Sequence, residues 1–138
     1  MRQLSDIVFN QNPLTMAASS TVVVACREMC DRRIGSVLVT DNGSLVGIFT
    51  GRDAVGRVLA AGKSASTTTL AEVMTRNPQT MSPDQTAIEA LRMMWSGGYR
   101  HVPVVKAGKI LGVVSRGDFS GMEHDRLDEE RQLWEHLR

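Results

Sequence analysis

The sequence predicts a mixed α/β (α+β) fold assembled from two copies of one β-α-β-β-α unit and closed by a C-terminal helix. Three observations predict it. The chain matches itself without a gap when displaced by 65 residues. Each half carries an apolar stripe at helical spacing, followed by two short apolar runs around a Gly-containing turn. After each pair of runs comes a hydroxyl residue with Asp three positions later, a pattern that starts helices.

The repeat is the strongest of these. Asn12-Pro13 falls on Asn77-Pro78, Thr15-Met16 on Thr80-Met81, Thr21 on Thr86, Ala25 on Ala90 and Met29 on Met94. Further on, Val37 and Val39 meet Val102 and Val104, Gly43 and Gly47 meet Gly108 and Gly112, and Asp53 meets Asp118. Fourteen of the 47 positions from Val8 to Ala54 are identical to their counterparts, and a fixed offset held over that length is a repeat signature. The boundaries follow: repeat 1 over 5–62, a small polar linker over 63–69, repeat 2 over 70–122, and a final helix over 123–138.

The elements follow in order within each repeat. An Asn-Pro turn leads to an extended piece at Thr15-Met16 or Thr80-Met81. A helix comes next. In the second copy Ser82 reads as its N-cap, Pro83 as its first residue and Gln85 as the partner in a capping box. Ala87, Ala90, Leu91 and Met94 form its buried stripe, matched in the first copy by Val22, Ala25, Cys26 and Met29. Two strands are expected at Val37–Thr40 and Leu45–Phe49 around Asn42-Gly43, and again at Val102–Val105 and Ile110–Val114 around Ala107-Gly108. Pro103 inside a strand argues for an edge or a bulge. A second helix is expected after Thr50, stopping at Gly62, and after Ser115. In the last helix Leu127, Trp134 and Leu137 form an apolar stripe that either packs on its own module or meets a partner.

Composition narrows the function. A net charge of +1, with 4% aromatic residues, gives no basic stripe interleaved with aromatics, so nucleic acid is not an expected partner. No apolar run approaches the roughly 18 residues of a membrane helix. The first residues lack a secretory apolar stretch, and a cytoplasmic home is expected. Cys26 and Cys30 share one helical face without further ligands at zinc-like spacing, so they read as small core residues and no metal site is assigned.

The two strand-to-helix junctions carry the chemistry. They read Gly47-Ile-Phe-Thr50-Gly-Arg52-Asp53 and Gly112-Val-Val-Ser115-Arg116-Gly-Asp118. Capping boxes alone account for Thr50 with Asp53 and for Ser115 with Asp118. Three features suggest a ligand as well. The preceding Gly lets something approach the backbone. Each junction carries one Arg, whose fork suits phosphate. A helix start favours anions, and an Asp there can accept hydrogen bonds from two neighbouring sugar hydroxyls. Arg100-His101-Val102-Pro103 leads into the second strand pair near the second junction, whereas the first repeat has Gly35-Ser36-Val37-Leu38. The second site is therefore the better equipped for phosphate. Arg116-Gly117-Asp118 also spells an adhesion tripeptide, but it belongs to the junction.

Together these features resemble tandem CBS domains, named after cystathionine β-synthase, over about residues 5–122. The resemblance implies a stand-alone pair, or Bateman module, whose repeats pack through their sheets with pseudo-twofold symmetry and leave two clefts. It implies adenine-nucleotide ligands, with AMP foremost and ATP, ADP, NAD or S-adenosylmethionine as alternatives. No catalytic residue or required cofactor is implied. Residue by residue, Asp53 and Asp118 match the ribose-binding Asp, with Thr50 and Ser115 beside it. Thr15 and Thr80 match the strand lining the adenine. Ser36, Val37, His101, Val102 and Pro103 match the opposite wall, and Arg52, Arg100 and Arg116 are assigned to phosphate. A regulatory sensor, commonly paired into a homodimer and acting on a partner the sequence does not name, is the leading expectation. An interaction adaptor with degenerate clefts, and more distantly a nucleotide hydrolase, are the alternatives.

Overall fold

The structure, a computed structural model, describes residues 1–137. The end of the last helix at Arg138 and the side chain of Leu137, third member of its expected stripe, lie outside the described residues. The chain folds into two compact units, one of Asn12–Pro78 and one that joins Met1–Gln11 to the chain from Gln79 onward.

These units are offset from the sequence repeats because each repeat gives up its leading arm. The arm of the first repeat, with the short helix α1 (Leu4–Ile7), folds with the second repeat. The arm of the second, with α4 (Leu70–Val73), folds with the first. The docking bonds are the same in both units. Leu4 N–H donates to the Gln85 carbonyl and Ala87 N–H to the Arg2 carbonyl, both at 2.9 Å. Leu70 N–H donates to the Ser20 carbonyl and Val22 N–H to the Thr68 carbonyl, also at 2.9 Å. Each arm thus satisfies an N–H that a helix start leaves without an internal partner. Residues 63–69 are part of this docking: Val23 N–H donates to the Ala65 carbonyl at 2.9 Å, and Thr68 is buried.

In the Asn12–Pro78 unit, β1 (Thr15–Ala17), β2 (Ser36–Asp41), β3 (Ser44–Thr50) and β4 (Thr75–Arg76) form one sheet in that order. β1 runs parallel to β2, and the other pairs are antiparallel. Helix α2 (Val22–Arg32) buries Val22, Ala25 and Met29, with Cys26 packed against the same core, whereas Cys30 is exposed and is not the core residue expected. Burial pushes the Cys26 thiol up, with Cys30 adding to the shift, which suits an unreactive packing role. After β3 the short helix α3 (Gly51–Asp53) passes directly into a π-helix, Ala54–Leu59, and Gly62 at φ 71° ends the segment near the expected stop.

The other unit repeats this plan with a smaller sheet: β5 (His101–Lys106) pairs antiparallel with β6 (Lys109–Ser115). The piece at Thr80-Met81 shrinks to a single parallel bridge between Met81 and Val104. Proline explains the loss. Leu38 N–H donates to the Leu14 carbonyl at 2.9 Å, and Pro103, its counterpart, has no N–H to give. The register of β5 against β6 shifts at Val104/Val105 as that of β2 against β3 does at Val39/Thr40, so this irregularity belongs to the repeat and not to Pro103.

Two helix starts differ from expectation. Helix α5 (Ala87–Gly97) begins at Thr86, whose hydroxyl accepts from Glu89 N–H at 3.2 Å, so Ser82 is not its N-cap. Ser82–Gln85 instead forms a separate turn, held open because the carbonyls of Pro83 and Gln85 receive the α1 arm. After Ser115 there is only a 3₁₀ turn, Arg116–Asp118, which ends at an extended Phe119. Helix α6 (Gly121–Leu137) then starts afresh on a capping box: Glu123 Oε1 accepts from Ser120 N–H at 2.9 Å and Glu123 N–H donates to Ser120 Oγ at 3.3 Å. The final helix therefore begins at Gly121 rather than at 123. Its Leu127 joins the core, whereas Trp134 is 71% exposed, so the two do not form one buried stripe.

Candidate ligand-binding sites

Strand pairing gathers the expected residues at one end of each sheet. In the Asn12–Pro78 unit Ser36 lies opposite Thr50, Val37 opposite Phe49, and Thr15 beside Leu38. The chain leaves β3 into α3 with Gly51 N–H donating to the Gly35 carbonyl at 3.2 Å. Asp53 turns back on Thr50: its Oδ2 accepts from Thr50 N–H at 2.9 Å and from Thr50 Oγ1–H at 3.1 Å. Its other oxygen, Oδ1, sits 3.5 Å from Arg57 Nε. The same guanidinium donates through NH1 to the carbonyls of Met74 at 3.0 Å and Val73 at 3.3 Å. Arg52 is exposed, and Val37 is buried in the core, so only its main chain is available at this end.

The second site has the same frame with different contents. His101 lies opposite Ser115, and Arg116 N–H donates to the Arg100 carbonyl at 3.2 Å. Asp118 Oδ2 accepts from Ser115 N–H at 2.7 Å and from Ser115 Oγ–H at 3.2 Å. Among the described residues, no side chain pairs with Asp118 Oδ1. Because Arg and Gly are swapped in this junction, Arg116 is half-buried where Arg52 is exposed, and it reaches the Met94 carbonyl at 3.5 Å. Two buried polar atoms here, His101 Nδ1 and Arg116 Nε, have no hydrogen-bond partner among the described residues. Burial holds the His101 imidazole below its ordinary value; the Asp118 carboxylate pulls it partly back up and Arg100 pushes it down. Arg100 and Thr80 are exposed, and the side chains of Val102 and Pro103 are buried.

The two glycines before the junctions have a role the sequence did not reveal. A Cβ on Gly112 would stand 2.7 Å from Val8 Cβ and 2.6 Å from Gln11 Oε1. One on Gly47 would stand 2.3 Å from Met74 Sδ. The space left by each glycine is filled by the docked arm of the chain itself. Gln11 completes that contact with its amide, donating to the Val113 carbonyl at 3.0 Å and accepting from Val113 N–H at 2.9 Å.

Sequence reasoning also missed two arginines, because neither lies in a junction motif. Arg57 faces Asp53 as described. Arg2 reaches the second junction from the arm, donating to the Asp118 carbonyl at 2.7 Å and to Glu123 Oε1 at 2.6 Å. Burial raises the Glu123 carboxyl, but the bonds from Arg2 and Ser120 outweigh it and hold the group below its ordinary range. Away from both sites, Arg131 stacks 3.6 Å from the Trp95 ring centroid, in a groove of about 370 Å³ between α5 and α6 that Trp134 also lines.

With this geometry in place, comparison with known proteins identifies the class. The family model "CBS domain" matches residues 4–60 and again 70–122, and the chain belongs to this family. The CBS domain-containing protein CBSCBSPB2 of Arabidopsis thaliana is 43% identical over 102 residues, which cover 73% of this chain and 19% of that protein. The chain thus spans about a fifth of the length of such plant relatives. Among solved structures, the CBS-domain containing protein ATU1752 from Agrobacterium tumefaciens has a TM-score of 0.78 at 29% identity, covering 84% of this chain and 94% of that one. The CBS domain pair of protein MJ0100, in complex with 5′-methylthioadenosine and S-adenosyl-L-methionine, has a TM-score of 0.75 at 28% identity with the same coverage. No described helix is long and apolar enough to cross a membrane.

Proposed function

We propose that this chain is a regulatory module that binds ligands carrying an adenosine group, AMP foremost, and passes on their level through a change in shape or partner surface. Asp53 and Asp118 take the ribose diol, with Thr50 and Ser115 fixing each carboxylate. The strand at Thr15, the extended segment at Thr80 and the main chain at Ser36, Val37, His101, Val102 and Pro103 flank the base. Arg52, Arg100 and Arg116 serve the phosphate.

One observation carries the reading. In the second site, two buried nitrogens without partners, on Arg116 and His101, accompany a carboxylate oxygen that is also free. A buried polar atom left unsatisfied costs about 1–3 kcal/mol, and turning either side chain toward a ligand would recover that cost. A sugar diol on Asp118 and an anion near Arg116 would do so together. That a similar CBS pair holds 5′-methylthioadenosine and S-adenosyl-L-methionine supports an adenosine ligand here.

Calorimetric titration of the nucleotide-free protein with AMP, ATP, ADP, NAD and S-adenosylmethionine tests the proposal. At least one should bind below about millimolar. A hydrogen bond to a charged group is worth about 1.5–3 kcal/mol, so Asp118→Ala should weaken second-site binding about 10- to 100-fold. Absence of binding by all five compounds, or unaltered affinity in the variant, would overturn the assignment.

A further inference from the structure

The two sites differ in one charged contact that no motif contains. Asp53 and Asp118 are held alike, each with Oδ2 committed to the main chain and hydroxyl of the residue three before it. A diol can therefore be received in full only through Oδ1. At Asp53 that oxygen faces Arg57. At Asp118 it does not, and the difference follows from the backbone. After Asp53 the chain continues as an unbroken helix, which carries residue 57 over residue 53. After Asp118 the turn breaks at Phe119 and α6 starts anew, leading Met122, the counterpart of Arg57, out to 83% exposure. The guanidinium that does reach the second junction, Arg2, takes the Asp118 carbonyl and the Glu123 carboxylate instead.

We infer that Arg57 determines ligand preference between the sites, acting as a built-in competitor for Asp53 so that the second site fills first. The contact is an ion pair at 3.5 Å, and a sugar hydroxyl that takes Oδ1 must weaken that attraction as it binds. Arg57 is also anchored by the Val73 and Met74 carbonyls, which stops it from swinging away to follow a phosphate. It is a specificity-determining residue that acts through the Asp53 carboxylate. The effect is modest because the pair is partly exposed: contacts of this kind correspond to about a two- to five-fold change in affinity.

The inference rests on the diol reading of Asp53, and the test separates the two. Each site is isolated by disabling the other, Asp118→Ala leaving the first and Asp53→Ala the second, and AMP is titrated calorimetrically. Adding Arg57→Gln to Asp118→Ala should tighten first-site binding about two- to five-fold. Glutamine removes the charge but ends two bonds short of the nitrogen that reaches Met74, so an unchanged urea midpoint is the check that the arm stays docked; Arg57→Met should behave in the same direction. The sign is diagnostic, because mere loosening of the structure would weaken binding. Unchanged or weaker first-site affinity in Arg57→Gln, with second-site binding intact in Asp53→Ala, would overturn the competitor role and leave the diol reading standing. Loss of AMP binding in the wild-type protein would instead remove the reading on which it rests.

Discussion

Ala107 holds φ 50° in the second hairpin, where the first hairpin has Asn42 at φ 51°. Both turns continue with a glycine near φ 80°, Gly43 and Gly108, the two-residue geometry that favours Asn-Gly. A side chain in this left-handed region costs roughly 1–2 kcal/mol, least for Asn. Ala107→Asn should therefore raise stability by about 0.5–1 kcal/mol, seen as a higher urea midpoint with unchanged slope; no gain would mean that the turn relaxes around alanine. His101 makes a pH prediction. Its folded pKa lies below the ordinary value of about 6.5, so between the two values the unfolded chain holds the extra proton. The contribution is complete above about pH 6.5 and is lost as pH falls through that value toward the folded pKa. Asp118 and Arg100 are the charged groups that act on it. Urea midpoints between pH 5 and 7.5 should rise with pH, and His101→Gln should flatten that rise. Glu123 acts in a separate, more acidic window. Its folded pKa is lowered, so its contribution is present above about pH 4.3 and falls away as pH drops through the folded value.

The arms matter most among the elements. Each fills the space beside a glycine, but the two fillings differ in stiffness. A methyl on Gly47 would meet mainly the side chain of Met74, which can move, and the Thr75 carbonyl at 3.1 Å, which needs to give by only a few tenths of an ångström. A methyl on Gly112 would meet Val8 at its Cβ, fixed to the backbone. Gly112→Ala should cost about 1–3 kcal/mol and Gly47→Ala less, as read by chemical unfolding. The reverse order would contradict the account of the arms. The arms also show where sequence reading stopped. The ungapped offset of 65 made α2, α5, the hairpins and both junctions legible, because each rests on a local pattern of stripe, turn residue or cap, but it wrongly carried the helix after Thr50 over to Ser115. The arms align at an offset of 66, with Leu4 matching Leu70 and Asp6 matching Glu72, and that single extra residue hides them from the comparison. Helices of four residues carry no periodicity to compensate. The start of α5 was misread for a related reason. Ser82-Pro83-Asp84-Gln85 has the local signature of an N-terminus, and only the arm, distant in sequence, withholds it from the helix. At the sites, the junction residues were legible and their partners were not, since Arg2 and Arg57 act from an arm and from a π-helix that no motif marks.

For the whole molecule, the exchange of arms makes each compact unit depend on the leading residues of the other repeat. Leu4 and Val8 are buried in the core that holds Val102, Val104 and Val114. Removing residues 1–11 should therefore destabilise the unit of the second repeat, although the deleted residues precede the first. Burying one such side chain is worth about 1.5–3 kcal/mol, so the loss should reach about 3–6 kcal/mol. Amide exchange should quicken across 101–115 and stay as it is across 36–50; the opposite pattern would mean that each repeat folds with its own arm. An adenosine ligand in the second site, as proposed above, can be located directly. The most direct measurement is a crystal structure grown with saturating AMP. The ribose diol is expected on the free oxygen of Asp118, with Arg116 turned to the phosphate and the main chain at His101 beside the base. Density for AMP elsewhere, with Asp118 facing no ligand and the nitrogens of Arg116 and His101 satisfied by the protein itself, would contradict it.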